Sequence, residues 1–199
     1  MNGSDGSKSW SVSISADDML NFIIYIGCIY GLIDKNKYSG REILWPTKSL
    51  RTVAVCEQWE EWFQNVIRLK AERIKDGKYP HSIIEDYMPQ EFLKVEDTVL
   101  KECCITAWPF FQEWWYMLAG GKNALAFIET INDFKILDNV NEVEKRLGRK
   151  LKPFRLNIEL LYTGINGILE VNEQLVIVQS NPIISLDKEW WIKKLTEIG

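Results

Sequence analysis

The chain carries a single histidine, His81, among 199 residues. Any mechanism that pairs a cysteine with an imidazole base must use that one ring. No C-x-x-C spacing occurs, and a zinc site draws three or four ligands from cysteine, histidine or carboxylates. His81 and Glu85 stand four apart with Asp86 alongside, too sparse a set to count as a metal pattern. The glycines at Gly120 and Gly121 precede Lys122, but the phosphate-loop spacing G-x-x-x-x-G-K-[ST] is missing and Asn123 stands where a hydroxyl is needed. No metal and no cofactor are therefore expected.

A long apolar run is missing as well. The most apolar stretch, Phe22–Ile33, has twelve residues, whereas a membrane-spanning helix needs about 20. Asp17 and Asp18 occupy the place where a secretory signal would carry basic residues. A cytoplasmic protein without membrane contact is expected. Charge of one sign is not in excess: 24 Lys and Arg face 28 Asp and Glu, a net −4 with pI near 5.2. Such a chain has no global field that draws in nucleic acid or anionic lipid. Residues 1–131 carry the whole −4, because residues 132–199 hold ten charges of each sign. Cysteine is sparse too. Cys28, Cys56, Cys103 and Cys104 all sit among apolar residues, as reduced, buried thiols do.

Apolar and aromatic material is abundant. Leu, Ile, Val and Phe number 61 of 199 residues, and there are nine tryptophans. That is enough for a packed core and excludes a disordered chain. The periodicity predicts an α+β fold. Its first two-thirds are helical, packed with a C-terminal β-α-β-β-β-α unit that contains a small antiparallel sheet. The mainly helical part spans 1–131 and the α+β part 132–199. No polar linker separates them near residue 131, so a shared core is expected.

Ser15 to Asp18 has the character of a helix cap with acids in the first turn. The apolar spacing that follows favours a helix over 16–33, and its β-branched content leaves a buried strand open. A turn over 34–40 and an extended piece at Ile43–Trp45 come next. Thr47–Lys75 is the clearest helix. Val55, Trp59, Trp62, Val66 and Leu69 step by four and three residues along one stripe, which Cys56, Phe63 and Ile67 widen, while Glu57, Glu60, Glu61, Arg68, Lys70 and Glu72 lie mostly on the other side. A loop over 78–89 leads to a helix from about Gln90 to Ala107, which Pro109 is expected to kink or break before it resumes to Leu118. Asn123 caps a short helix to Thr130. The predicted tail has a strand at Phe134–Leu137, a helix from a capping box at Asn139, and a half-buried strand over 154–163. A hairpin pairing Ile168–Val171 with Leu175–Gln179 follows, then a last helix capped by Asp187.

Three sets of residues have functional potential. The adjacent pairs Trp114/Trp115 and Trp190/Trp191 cannot each place both rings in one narrow stripe, because neighbours on a helix point about 100° apart. One indole of each pair is expected at the surface, where tryptophan is enriched in binding hot spots. Lys145, Arg146, Arg149, Lys150, Lys152 and Arg155 place six cations within eleven residues, which would contact phosphates in a nucleic-acid accessory protein and equally complement a helix C-terminus. Cys103 or Cys104 with His81 would be the core of a small hydrolase or transferase. The balance favours a non-catalytic protein of accessory, regulatory or immunity type. Its partner would be another protein, and the acidic surface suits a basic one.

Overall fold

The computed structural model describes residues 10–34, 54–77, 92–165, 167–179 and 186–199, with no side chains described for 131–134. The described residues form an α+β fold of five helices and one four-stranded mixed sheet. Residues 35–53 and 78–91 lie outside them, and with them the Ile43–Trp45 piece, the start expected at Thr47 and the 78–89 loop.

Strands β1 (Ser11–Ser15), β2 (Arg155–Leu161), β3 (Ile168–Asn172) and β4 (Leu175–Gln179) stand in the order β1-β2-β4-β3. β1 and β4 both run parallel to β2, and only the β3–β4 hairpin is antiparallel. The sheet is thus mixed rather than antiparallel. β2 is buried on both faces, since only Arg155 of its seven residues is exposed, and β4 is buried from Leu175 to Val178. Parallel strands covered on both faces are the usual arrangement, so the half-buried pattern expected for β2 is corrected. Its inward polar groups then need partners. Asn157 donates from Nδ2 to the Gln174 carbonyl at 3.1 Å, and Glu159 meets a cation described below. β1 carries almost no sequence signal. Its three serines leave only Val12 and Ile14 as apolar positions, next to a Gly/Ser-rich start. The sheet thereby joins the first residues described to the last third of the chain.

Helix α1 (Asp18–Ile29) resolves the helix-or-strand alternative. Its cap is Asp17 rather than Ser15, and Asp17 Oδ1 accepts from the Leu20 N–H at 2.8 Å. Ten of its twelve residues are buried, as expected of a helix that is apolar all round. Helix α2 (Cys56–Lys75) buries Trp59, Trp62, Phe63, Val66 and Ile67 as its stripe predicts, but Cys56 is exposed at its first turn and Lys70, expected on the polar side, is buried against two carboxylates. The Trp59 indole donates to the Ile23 carbonyl at 2.9 Å. Gly27 makes this close approach possible. A Cβ there would lie 2.5 Å from Ile33 and 2.7 Å from the Trp59 ring.

Helix α3 (Thr98–Tyr116) begins later than expected, at the Asp97 cap, and continues through Pro109 without interruption. Buried residues on both sides of the proline, Cys104 and Ala107 before it and Phe111 and Trp115 after it, hold one stripe. Helix α4 (Gly121–Leu147) is a single 27-residue element. It absorbs the short helix capped by Asn123, the strand expected at Phe134–Leu137 and the capping box expected at Asn139. No glycine or proline interrupts Lys122–Leu147, and Leu125, Ile136, Val140 and Val143 recur at helical intervals and are buried. Gly148, at φ 65°, ends it in the left-handed conformation. Helix α5 (Lys188–Ile198) starts at Asp187, which accepts from the Trp190 N–H at 2.7 Å.

Candidate functional site

Asp17 and Asp18, adjacent at the start of α1, anchor two polar networks. In the first, Lys70 Nζ lies 2.6 Å from Asp17 Oδ2 and 2.9 Å from Glu159 Oε1, all three side chains being buried. Burial pushes the Glu159 carboxyl up to about 7, against the pull of the Lys70 ammonium. Burial lowers the pKa of Lys70, but the two carboxylates outweigh it and keep the ammonium charged. The Asn21 amide extends the network, donating to the carbonyls of Asp17 and Leu160 and accepting from the Tyr162 N–H. Perturbed, buried charges often mark catalytic sites. These three join the start of α1 to α2 and β2. In the second network, Asp18 accepts from the Trp115 indole at 2.8 Å, the Tyr116 hydroxyl at 2.6 Å and Lys122 Nζ at 3.0 Å. It ties the α3–α4 corner to α1.

The tryptophan pairs divide. Trp115 and Trp191 are buried, while Trp114 and Trp190 are half-buried. Trp114 meets Tyr162 edge-on at 4.8 Å, and Trp190 packs edge-on against Trp191 at 5.1 Å. Trp115 and Trp191 therefore present no surface to a partner in this structure.

The larger exposed apolar surface lies elsewhere. Val99, Ile105 and Phe110 of α3 and Met117 at its C-cap are all exposed. At the corner Leu118 is 96% exposed, and Phe127, early in α4, is 68% exposed. At about 100° per residue, Val99, Glu102, Phe110, Glu113 and Met117 fall on one arc of α3. Glu102 and Glu113 are exposed as well. The result is an apolar face interleaved with carboxylates.

Two clefts flank the first half of α2. One, of about 450 Å³, lies between Gln58, Glu61 and Trp62 of α2 and Lys94, Glu96 and Asp97 of the segment entering α3. The other, of about 390 Å³, lies between Leu32 and Asp34 and the α2 residues Cys56, Glu57, Glu60 and Glu61. Glu61 lines both. Both volumes fall in the range of ligand sites, roughly 300–1,000 Å³. The Trp62 indole N–H is buried and, among the described residues, has no acceptor. An unmatched buried donor costs about 1–3 kcal/mol. The acids of α2 resemble an ordinary solvated helix face in sequence, and only the approach of residues 94–97 makes one side of it a cleft.

Compared with known protein families, with curated proteins and with solved structures, the chain matches none.

The basic cluster is partly engaged within the fold. Arg146 pairs with Glu142, Lys150 with Glu144 at 2.8 Å, and Arg149 donates to the Gly199 carbonyl at 2.9 Å. Lys145, Lys152 and Arg155 are exposed. Of the four cysteines expected to be buried, Cys103 and Cys104 are, Cys28 is half-buried and Cys56 is exposed; burial pushes the Cys104 thiol well above its ordinary value, which suppresses the thiolate. His81, which a cysteine mechanism needs, lies outside the described residues. Among the described residues no group of His, Cys, Asp and Glu could hold a metal, and no helix is long and apolar enough to cross a membrane.

Proposed function

We propose that this chain acts without catalysis, by binding another protein of basic character in an accessory, regulatory or immunity role. The observation that carries this is the outer face of α3, where Val99 and Phe110, with Met117 at the C-cap, stand exposed beside Glu102 and Glu113. Exposed apolar patches of this kind mark interaction sites in soluble proteins. Carboxylates between them favour a partner that brings lysine or arginine and disfavour an acidic one. The acid-lined clefts beside α2 add to the same preference.

The test is affinity capture from the native host, run in parallel with wild type and a Phe110→Asp, Leu118→Asp variant. A basic protein retained in stoichiometric amount by wild type and lost from the variant supports the proposal. Equal retention by both chains, or capture of nothing but further copies of this chain, overturns it.

A further inference from the structure

We infer that the folded chain forms a covalent bond within itself, an amide between Lys70 Nζ and Asp17 Cγ, with Glu159 carrying the proton that must move. The reaction occurs once per chain and turns over no substrate, so it stands apart from the binding role proposed above. Lys70 Nζ lies 2.6 Å from Asp17 Oδ2 and 2.9 Å from Glu159 Oε1, and the three side chains are only 2%, 6% and 1% exposed. One buried cation thus faces two buried carboxylates, an arrangement that is costly while all three are charged. The Asn21 amide donates at 2.9 Å to the Asp17 carbonyl and at 2.9 Å to the Leu160 carbonyl, which pins the acceptor residue beside β2. The Ser15 hydroxyl donates to Glu159 Oε2 from the other side at 3.4 Å.

Burial pushes the Glu159 carboxyl up to about 7, so below that pH it holds a proton and leaves Asp17 to pair with the ammonium. Moving one proton from Nζ to Oδ2 along their hydrogen bond then makes all three groups neutral. A neutral, desolvated lysine is a nucleophile. Nζ attacks Cγ, and Oδ1 takes the charge that develops. Oδ1 already accepts the Leu20 N–H at 2.8 Å at the N-terminus of α1, a donor suited to an oxyanion. Glu159 gives its proton to the Oδ2 hydroxyl, which leaves as water, and takes one back from Nζ. The Nζ–Cγ bond forms, the Cγ–Oδ2 bond breaks, Glu159 ends as it began, and one water is released. Groups held in reacting position reach effective concentrations of about 10⁵–10⁸ M, and a dry site opposes the return of water. The bond closes the chain across 53 positions and removes every charge from the triad. The ion pair is the state before reaction, and chains of full mass retain it.

The test is intact-mass spectrometry of the full chain, held folded for several days just below neutral pH, with sequencing of its proteolytic fragments. Wild type is expected to become lighter by one water and to yield a branched fragment that joins the peptide of Asp17 to that of Lys70. Asp17→Asn should lose one ammonia instead, because the leaving group is then the amide nitrogen. Lys70→Arg and Glu159→Gln should keep their full mass, with circular dichroism showing that each is folded. Should either variant fail to fold, the branched fragment from wild type decides alone. The inference fails if folded wild type keeps its full mass and gives no branched fragment. It fails equally if folded Lys70→Arg also loses one water, which places the dehydration at another site. Bond formation in Glu159→Gln as fast as in wild type would remove Glu159 from the reaction and overturn its part.

Discussion

Lys70 on α2 and Glu159 on β2 form an ion pair of 2.9 Å with both side chains almost wholly buried. Asp17 completes the set at 2.6 Å from the same ammonium. One buried cation thus serves two buried carboxylates from different elements, and the balance of charge in the core depends on it.

Replacing Lys70 by Met strands two carboxylates away from water. Breaking a buried pair by removing one partner costs about 3–5 kcal/mol. A urea unfolding curve of Lys70→Met should show a loss of that size, and combining it with Glu159→Leu should recover part of it. A loss within about 0.5 kcal/mol, the range of surface substitutions, would mean that the triad carries no such charge.

The Glu159 carboxyl gives stability a defined pH dependence. Its folded value, about 7, lies above the ordinary 4.5, so the folded chain holds this proton more tightly than the unfolded one. The resulting stabilisation is fully present below pH 4.5 and is lost as pH rises through about 7. Thermal melts of wild type and Glu159→Gln between pH 5 and 8 should therefore diverge, with wild type losing ground as pH rises. Parallel curves would show that the group titrates normally.

Gly27 leaves no room for a methyl group between Ile33 and the Trp59 ring. Gly27→Ala gains helix propensity worth about 1 kcal/mol but overpacks the contact at a cost of about 1–3 kcal/mol. Net destabilisation is expected by chemical denaturation, together with a shifted Trp59 indole resonance. A stabilised variant would show that α1 and α2 can separate freely.

The exposed residues of α3 and the corner should be nearly neutral for folding. Phe110→Ser and Leu118→Ser should each stay within about 0.5 kcal/mol of wild type. A large loss in either would place that side chain in the core and take it off the proposed binding face.

Local pattern explains which elements were legible. The stripe Trp59, Trp62 and Val66 marked the buried face of α2, and Asp187 marked the start of α5, because each signal lies within a turn or two of chain. Pro109 misled, since a local helix breaker was outweighed by a buried stripe that continues across it. The Phe134–Leu137 strand was equally a local impression, overridden by one buried face shared along α4.

The binding features were less legible. Adjacent tryptophans predicted one ring of each pair toward the surface; Trp114 and Trp190 are half-buried, while Trp115, bonded to Asp18, and Trp191 are buried. The α3 face and the cleft acids carry no spacing that separates them from ordinary solvated positions. By itself the sequence determined the α+β class, the apolar content of the core and the Asp187 cap of α5, because periodicity and capping act over a few residues. Only the tertiary structure decided that Ser15 meets Glu159 across 144 positions, that β4 lies between β2 and β3, and that Lys70 is buried rather than solvated. Pairings of that separation are set by the joint burial of distant surfaces, and no local pattern encodes which surface will cover which.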